Sequence, residues 1–330
     1  MHYLITGGAG FIGSHLADRL LGRGDEVTAL DDLSTGSARN VAHLEGEPRF
    51  RLVRGTILHH PTVTELVAET DAVVHLAAAV GVKLIVERPL ESLLTNIRGT
   101  EIVLDAVARS PRPILIASTS EIYGKNASGP LREDADRILG SPFKARWSYS
   151  TAKAVDEILA RAYWRDRAVP SIVVRLFNCV GPRQTGTYGM VVPTFVRQAL
   201  AGRDVTVFGD GEQRRSFCHV LDTVEALVAL LDHPGAVGDV FNVGAPHELT
   251  MNELALMVVR LTGSASQVVH IPYDEAYEEG FEDMERRVPD LSKIAALTGW
   301  APVLGLDRIV GDVIESERLD LDLSPAEPGP

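Results

Sequence analysis

Cysteine is nearly absent: Cys179 and Cys218 are the only two in 330 residues. Two thiols make no disulfide framework, and without a close-spaced Cys/His set there is no zinc signature. Both lie in apolar or aromatic sequence, where a free cysteine is ordinarily a small buried hydrophobe. His59 and His60 are adjacent, so they cannot both face one side of a helix or strand and make a ligand pair. Long apolar runs are missing as well, and none approaches the roughly 20 residues of a membrane span. The N-terminus opens on a strand-like run, without a basic segment and a long apolar stretch behind it. These absences predict a cytoplasmic protein with no metal. Positive charge is also short: 32 Lys and Arg stand against 45 Asp and Glu, a net charge of −13. Such a surface repels nucleic-acid backbones and anionic membranes. An anionic small molecule would need a locally basic pocket.

What is present suits a sizeable core: 45% of residues are hydrophobic and 23% charged. The length allows two domains, or one large α/β domain with a lobe. Short apolar, β-branched runs at 2–5, 26–30, 50–53, 72–76, 113–117 and 171–176 read as strands buried on both faces. Helical patterns at 11–21, 61–69, 89–108 and 149–164 separate them. This alternation predicts an α/β fold, a Rossmann-type doubly wound parallel sheet. The second half is less regular, with helices expected at 191–201, 222–231, 250–261, 290–298 and 306–315 and a strand at 239–243. Thr250 and Glu253 have capping-box spacing. The acidic, proline-containing end beyond Glu317 reads as frayed. The expected division is a cofactor domain at 1–180 and a smaller C-terminal α/β substrate-binding lobe at 181–330, with some segments returning to the first domain.

The strongest local signal is Thr6-Gly7-Gly8-Ala9-Gly10-Phe11-Ile12-Gly13. It follows a strand and opens an amphipathic helix, the context a dinucleotide fingerprint requires. Its glycines permit a tight turn, close approach to a pyrophosphate and close helix–sheet packing. Gly7, Gly10, Phe11, Ile12 and Gly13 are therefore candidate cofactor residues, with Leu76 and Ala77 at the fourth strand end. Asp31 ends the second strand, where a carboxylate accepts from ribose hydroxyls and repels a 2′-phosphate. No Lys or Arg follows before Arg39, so the expected cofactor is NAD rather than NADP.

Tyr149 and Lys153 stand at i and i+4 on one helix face. An ammonium near a phenol stabilises phenolate and lowers a pKa normally about 10. Such a tyrosine accepts a hydroxyl proton while the carbon is oxidised. Alone, the pair is ordinarily a solvated helix face. Ser118, Thr119 and Ser120 change that, because they end a strand at the ligand crevice.

Together the glycine loop, Ser118-Thr119-Ser120-Glu121-Ile122-Tyr123-Gly124, Tyr149/Lys153 and Arg175-Leu176-Phe177-Asn178-Cys179-Val180-Gly181-Pro182 resemble the extended short-chain dehydrogenases/reductases that act on nucleotide sugars. The likeness covers nearly the whole chain. It implies NAD in the first lobe and a UDP-sugar in the second. It implies that Tyr149 is the base, that Lys153 also holds the nicotinamide ribose, and that Thr119 orients the sugar hydroxyl, with Ser120 beside it. Arg215, in Gly209-Asp210-Gly211-Glu212-Gln213-Arg214-Arg215, matches a phosphate-binding arginine, and Asn178 a substrate contact. Val192 and Phe208 match positions flanking the uracil. Gly55-Thr56-Ile57 departs from the usual acidic residue after glycine, so Thr56 is left out.

Oxidation at C4 with NAD leaves three outcomes open: 4-epimerisation, 4,6-dehydration or decarboxylation of a hexuronate. Glu121, with 280–287 followed by Pro289-Asp290, resembles UDP-glucuronate decarboxylases, whose active-site arginine Arg287 matches; its neighbour Arg286 is the competing assignment. Arg146-Trp147-Ser148-Tyr149 also resembles that branch, whereas Val288 replaces a lysine common there. The leading expectation is release of CO2 from UDP-glucuronate, giving UDP-xylose or its 4-keto pentose precursor. Keeping both Tyr149 and Lys153 disfavours a non-catalytic NAD-binding protein. Relatives often pair through two helices, here 89–108 and 149–164. Leu93, Leu94, Ile97, Ile102, Val155, Ile158, Leu159 and Ala162 supply apolar faces for a homodimer.

Overall fold

The structure is a computed structural model that describes residues 1–80, 88–144, 147–185, 190–272, 284 and 286–323, with side chains described up to 319. Its centre is a seven-stranded sheet. The strands are β1 (His2–Thr6), β2 (Glu26–Asp31), β3 (Phe50–Arg54), β4 (Ala72–His75), β5 (Ile114–Thr119), β6 (Ser171–Leu176) and β11 (Val240–Val243). Their order is β11-β6-β5-β4-β1-β2-β3, and every pairing is parallel. The expected doubly wound sheet is thus present. The chain reverses its direction of winding between β1 and β4, so a crevice opens beyond their carboxyl ends.

Near-continuous apolar strands need cover on both faces. Helices α1 (Phe11–Gly22) and α6 (Val220–Leu231) bury Leu16, Leu20, Val224 and Leu227 on one face. Helices α2 (His60–Ala68), α3 (Pro89–Arg109) and α4 (Ser148–Arg167) cover the other with Val63, Leu66, Val103, Leu104, Val107 and Ala160. Helix α6 and strand β11 thus come from the second half of the chain but build the first core.

A separate core forms where α5 (Val191–Leu200), α7 (Met251–Thr262) and α9 (Leu306–Leu323) meet β8 (Val205–Phe208) and β13 (Val268–Ile271), a parallel pair. The capping box of α7 is formed: the Glu253 amide donates to Thr250 Oγ1 at 3.0 Å and the Thr250 amide to Glu253 Oε2 at 2.7 Å. Helix α8 (Ser292–Thr298) packs beside β11.

One expectation fails here. The helix expected at 306–315 continues to Leu323, so the chain just beyond Glu317 is not frayed. Val313 and Ile314 are buried and Glu317 pairs with Arg197 at 2.5 Å, so packing carries the helix past its acidic end. The sequence pattern also misses seven short strands: β8 and β13 above, and five of two or three residues described below where they shape the site. No helix among the described residues is long and apolar enough to cross a membrane.

Candidate active site

The crevice is a cleft of about 880 Å³ at the carboxyl ends of the central strands. Gly7, Gly10, Phe11, Ile12, Gly13, Leu76 and Ala77 all line it. Gly7 has φ +72°, and an added Cβ would come within 2.8 Å of the Ala77 amide nitrogen. A Cβ on Gly13 would clash with the Gly7 carbonyl oxygen. Helix α1 begins at Gly10 with no side-chain cap and no acidic residue in its first turn. Its free N–H groups and positive end therefore suit a pyrophosphate.

Asp31 is buried at one end of this cleft. Its Oδ2 accepts from the Ala9 amide at 3.0 Å and its Oδ1 from the Leu33 amide at 2.8 Å. Burial pushes its carboxyl above the usual range, while these amide bonds oppose that rise. Two carboxylate oxygens offer about four acceptor sites, which leaves capacity for ribose hydroxyls. Arg39, set aside on sequence as too distant, lines the same end of the cleft. A short helical turn at Ala38–Leu44 brings it back. These residues fit NAD: a glycine turn without room for side chains, an uncapped helix start and a carboxylate at the ribose end.

Thr119, Tyr149 and Lys153 line the other side. Thr119 ends β5 and caps the turn Ser120–Tyr123, accepting the Glu121 amide at 3.1 Å. Its hydroxyl also hydrogen-bonds the Tyr149 phenol. Beneath them, Glu157 of α4 accepts from Ser118 Oγ at 2.6 Å and from Arg175 Nε and Nη2 at 2.9 and 2.8 Å. That buried two-point contact ties α4 to β5 and β6.

The expected electrostatics of the tyrosine do not hold in this state. Burial pushes the Tyr149 phenol well above its ordinary pKa, and the charges of Glu121 and Asp156 add to the rise; the Thr119 hydrogen bond opposes it. Lys153 is buried, and its Nζ donates to Asp156 Oδ2 at 3.0 Å. Its charge is balanced by a carboxylate one helical turn along, which the sequence reading did not consider.

Three residues expected to meet the sugar converge beside this group. Arg287 pairs with Glu121 through Nη1 and donates to Asn178 Oδ1 through Nη2 at 2.6 Å. Asn178 Nδ2 donates to the Ser216 carbonyl at 2.8 Å. The Arg287 Nε is buried without a hydrogen-bond partner among the described residues. Ser120, in the same turn as Glu121, is also buried. Strands β12 (Glu248–Thr250), β9 (Arg214–Ser216) and β14 (Arg286–Arg287) form a small sheet in which Arg287 is in parallel register with Arg215. Neighbouring strand residues point to opposite faces. Arg286 accordingly turns away and pairs with Glu248, its Nε 3.0 Å from both carboxylate oxygens.

Arg215 is buried, with Nη1 donating to the Arg214 carbonyl at 2.9 Å. Phe208 ends β8 and is 37% exposed. Val192 does not present itself as a ligand contact; it is 1% exposed and belongs to the second core. Arg146 and residues 280–283 and 285 fall outside the described residues. Cys179 and Cys218 face one another across the two-residue pair of β7 (Cys179–Val180) and β10 (Cys218–His219). Both thiols are free, and Cys179 is only half-buried rather than buried as expected. Burial pushes the Cys218 thiol up to about 12, so it is unreactive. No group of metal-ligating side chains occurs among the described residues.

The chain is 39% identical over 313 residues to UDP-N-acetyl-alpha-D-glucosaminuronate decarboxylase of Bacillus cytotoxicus, covering 94% of this chain and 96% of that one. It is 37% identical over 319 residues to UDP-glucuronic acid decarboxylase 1 of Xenopus tropicalis, covering 97% of this chain and 72% of that one. Among solved structures, UDP-glucuronic acid 4-epimerase from Bacillus cereus, in complex with UDP-glucuronic acid and NAD, superposes with a TM-score of 0.87 at 27% identity over 97% of this chain and 99% of that one. A dTDP-glucose 4,6-dehydratase from Streptomyces venezuelae with NAD bound gives 0.88 at 28% identity, covering 98% of each chain. Residues 3–244 match the model of the NAD dependent epimerase/dehydratase family, and the chain belongs to that family of NAD-using enzymes.

Proposed function

We propose that this enzyme oxidises C4 of a UDP-hexuronate, UDP-glucuronate foremost, and releases its carboxyl group as CO2. The product is the UDP-4-keto pentose, or UDP-xylose where the hydride removed from C4 is afterwards returned to it. The observation that carries this reading is the Glu121–Arg287–Asn178 cluster beside Thr119 and Tyr149. NAD, when bound, supplies the two-electron acceptor for C4. Thr119 orients the C4 hydroxyl and Tyr149 takes its proton. The C5 carboxylate then belongs to a β-keto acid. Its C–C bond breaks to give CO2, and the electron pair passes into the C4 carbonyl as an enolate. Arg287 brings a fixed positive charge to that developing oxyanion, and Glu121 is placed to relay a proton from water to C5, leaving hydroxide to take up the proton held by Tyr149. Arg215, with its paired N–H groups, meets a diphosphate oxygen, which reconciles an anionic substrate with an acidic protein. Asn178 and Ser120 meet the sugar side and Phe208 a uracil face.

The test is headspace CO2 together with product mass after incubation with UDP-glucuronate and NAD. CO2 with a pentose nucleotide is the expected result. An isomer that keeps its carboxylate would make the chain a 4-epimerase, and a 4-keto-6-deoxyhexose from UDP- or dTDP-glucose a dehydratase. UDP-N-acetylglucosaminuronate enters the same assay as the second substrate, on the strength of the 39% identical Bacillus relative.

The protein is also proposed to be a homodimer through α3 and α4. The sheet is covered by Val103, Leu104, Val107 and Ala160, whereas Leu94 and Ile158 remain 39% and 64% exposed. Leu93, Ile97, Ile102, Val155 and Leu159 are half-buried and Ala162 is exposed. An apolar face left open after the core is covered favours a second copy. Light scattering at micromolar concentration is expected to give twice the chain mass; a monomer would remove the dimer.

A further inference from the structure

Beneath the cleft, a chain of polar side chains crosses the core where apolar residues would be ordinary. The Ala77 amide donates to Thr6 Oγ1 at 3.3 Å, and Thr6 Oγ1 lies 2.7 Å from His75 Nδ1. His75 Nε2 lies 3.1 Å from Thr100 Oγ1 of α3. Thr100 neighbours Asp156, whose Oδ2 accepts from Lys153 Nζ at 3.0 Å, while its Oδ1 is buried with no hydrogen-bond partner among the described residues. Thr6, His75, Thr100, Lys153 and Asp156 are all buried, and Asp156 is fully enclosed. A carboxylate there would be costly unless paired and hydrogen-bonded.

We propose that Asp156 is a positioning residue for the reaction: it holds the Lys153 ammonium at the inner end of this polar chain and sets the pH at which Tyr149 gives up its proton. The inference rests on the reading of Tyr149 as the base.

The charged groups around the pair can be followed element by element. On α4 itself, Lys153, Asp156 and Glu157 surround it, with Glu157 committed to Arg175 of β6. The turn after β5 contributes Glu121, itself paired with Arg287. Strand β4 contributes His75, whose imidazole is pushed down to about 3 by burial and by Lys153, so it remains neutral. Helix α3 contributes the uncharged Thr100. Asp156 is thus the carboxylate in direct contact with the lysine, and its charge also raises the Tyr149 phenol. With Lys153 held as the ammonium, removing one negative charge makes the Tyr149 proton easier to lose. The sign of the effect is therefore fixed by charge, and packing alone would not produce it.

The experiment is a tyrosinate absorbance titration of the NAD-loaded protein, with Tyr149→Phe subtracted to isolate the one phenol. Asp156→Asn preserves the side-chain shape and is expected to lower the Tyr149 midpoint by about one pH unit, the scale of one charge removed at close range. The acid limb of bound-NAD reduction by UDP-glucuronate should move the same way. Asp156→Ser, smaller and also neutral, serves if the amide does not fold, and should shift the midpoint in the same direction. A midpoint that stays put or rises in the folded neutral variant would overturn the inference, leaving Asp156 a packing residue. Failure of the underlying reading looks different: Tyr149→Phe would then reduce bound NAD at the wild-type rate.

Discussion

Replacing Tyr149 by phenylalanine is expected to cut the oxidation of substrate by about 10²–10⁴-fold, the usual contribution of a positioned proton acceptor. The ring is retained and only the phenol oxygen is lost, together with its hydrogen bond to Thr119. Such a bond contributes roughly 1 kcal/mol to stability, so the variant should fold and bind NAD as before. The glycine turn and Asp31 lie at the other side of the cleft and do not depend on the phenol. The measurement is single-turnover appearance of reduced NAD on adding UDP-glucuronate to the loaded protein. A wild-type rate would remove Tyr149 from the chemistry. The phenol is pushed up by burial, Glu121 and Asp156. Activity should therefore fall as pH drops, because protonated tyrosine cannot accept the hydroxyl proton. The residues of the cleft would hold NAD, whose positive nicotinamide would oppose that rise.

The second large effect is expected at Arg287. Truncation to alanine removes the ion pair with Glu121 and the guanidinium proposed to meet the developing enolate oxygen. Loss of one donor to such an oxyanion typically costs about 10²–10³-fold in turnover. CO2 release should fall by that much while NAD affinity changes little, since Arg287 is not among the residues lining the cofactor cleft. Arg287→Lys should recover only part of the rate, because a point charge cannot serve Glu121 and Asn178 together as the planar fork does. Arg286→Ala is the control: its guanidinium is engaged by Glu248 on the other face, and turnover should stay near wild type. Equal losses at 286 and 287 would mean that the effect is structural. Glu121→Ala should also slow CO2 release more than it weakens NAD, if the proposed proton relay to C5 runs through this carboxylate.

How far the sequence goes depends on how local each signal is. The strand–Gly7-to-Gly13–helix unit is a continuous run with its own periodicity, and the turn, helix start and cofactor cradle follow from neighbours in the chain. Tyr149 and Lys153 share a helix face by spacing alone, and Thr119 ends its strand where the hydrophobic run stops. Helix α7 shows its start through Thr250 and Glu253. These elements form because their apolar periods match the faces they bury, so the sequence determines the sheet, its cover and the cofactor end of the cleft.

Tertiary structure decided what lies between distant segments. Strands β9, β10, β12 and β14 have two or three residues each, too few for an alternating pattern, and exist because partners far along the chain complete their hydrogen bonds. Only that small sheet separates Arg287, turned toward Glu121 and Asn178, from Arg286, turned toward Glu248; in sequence they are an indistinguishable pair. Arg39 returned to the cleft by a turn that its distance from Asp31 concealed. Asp156 reads as one more polar residue on a helix, yet packing of α3 and β4 against α4 encloses it with Lys153, Thr100 and His75. Burial removes the water that would have screened these charges, so their balance is set by three-dimensional neighbours rather than by spacing along the chain.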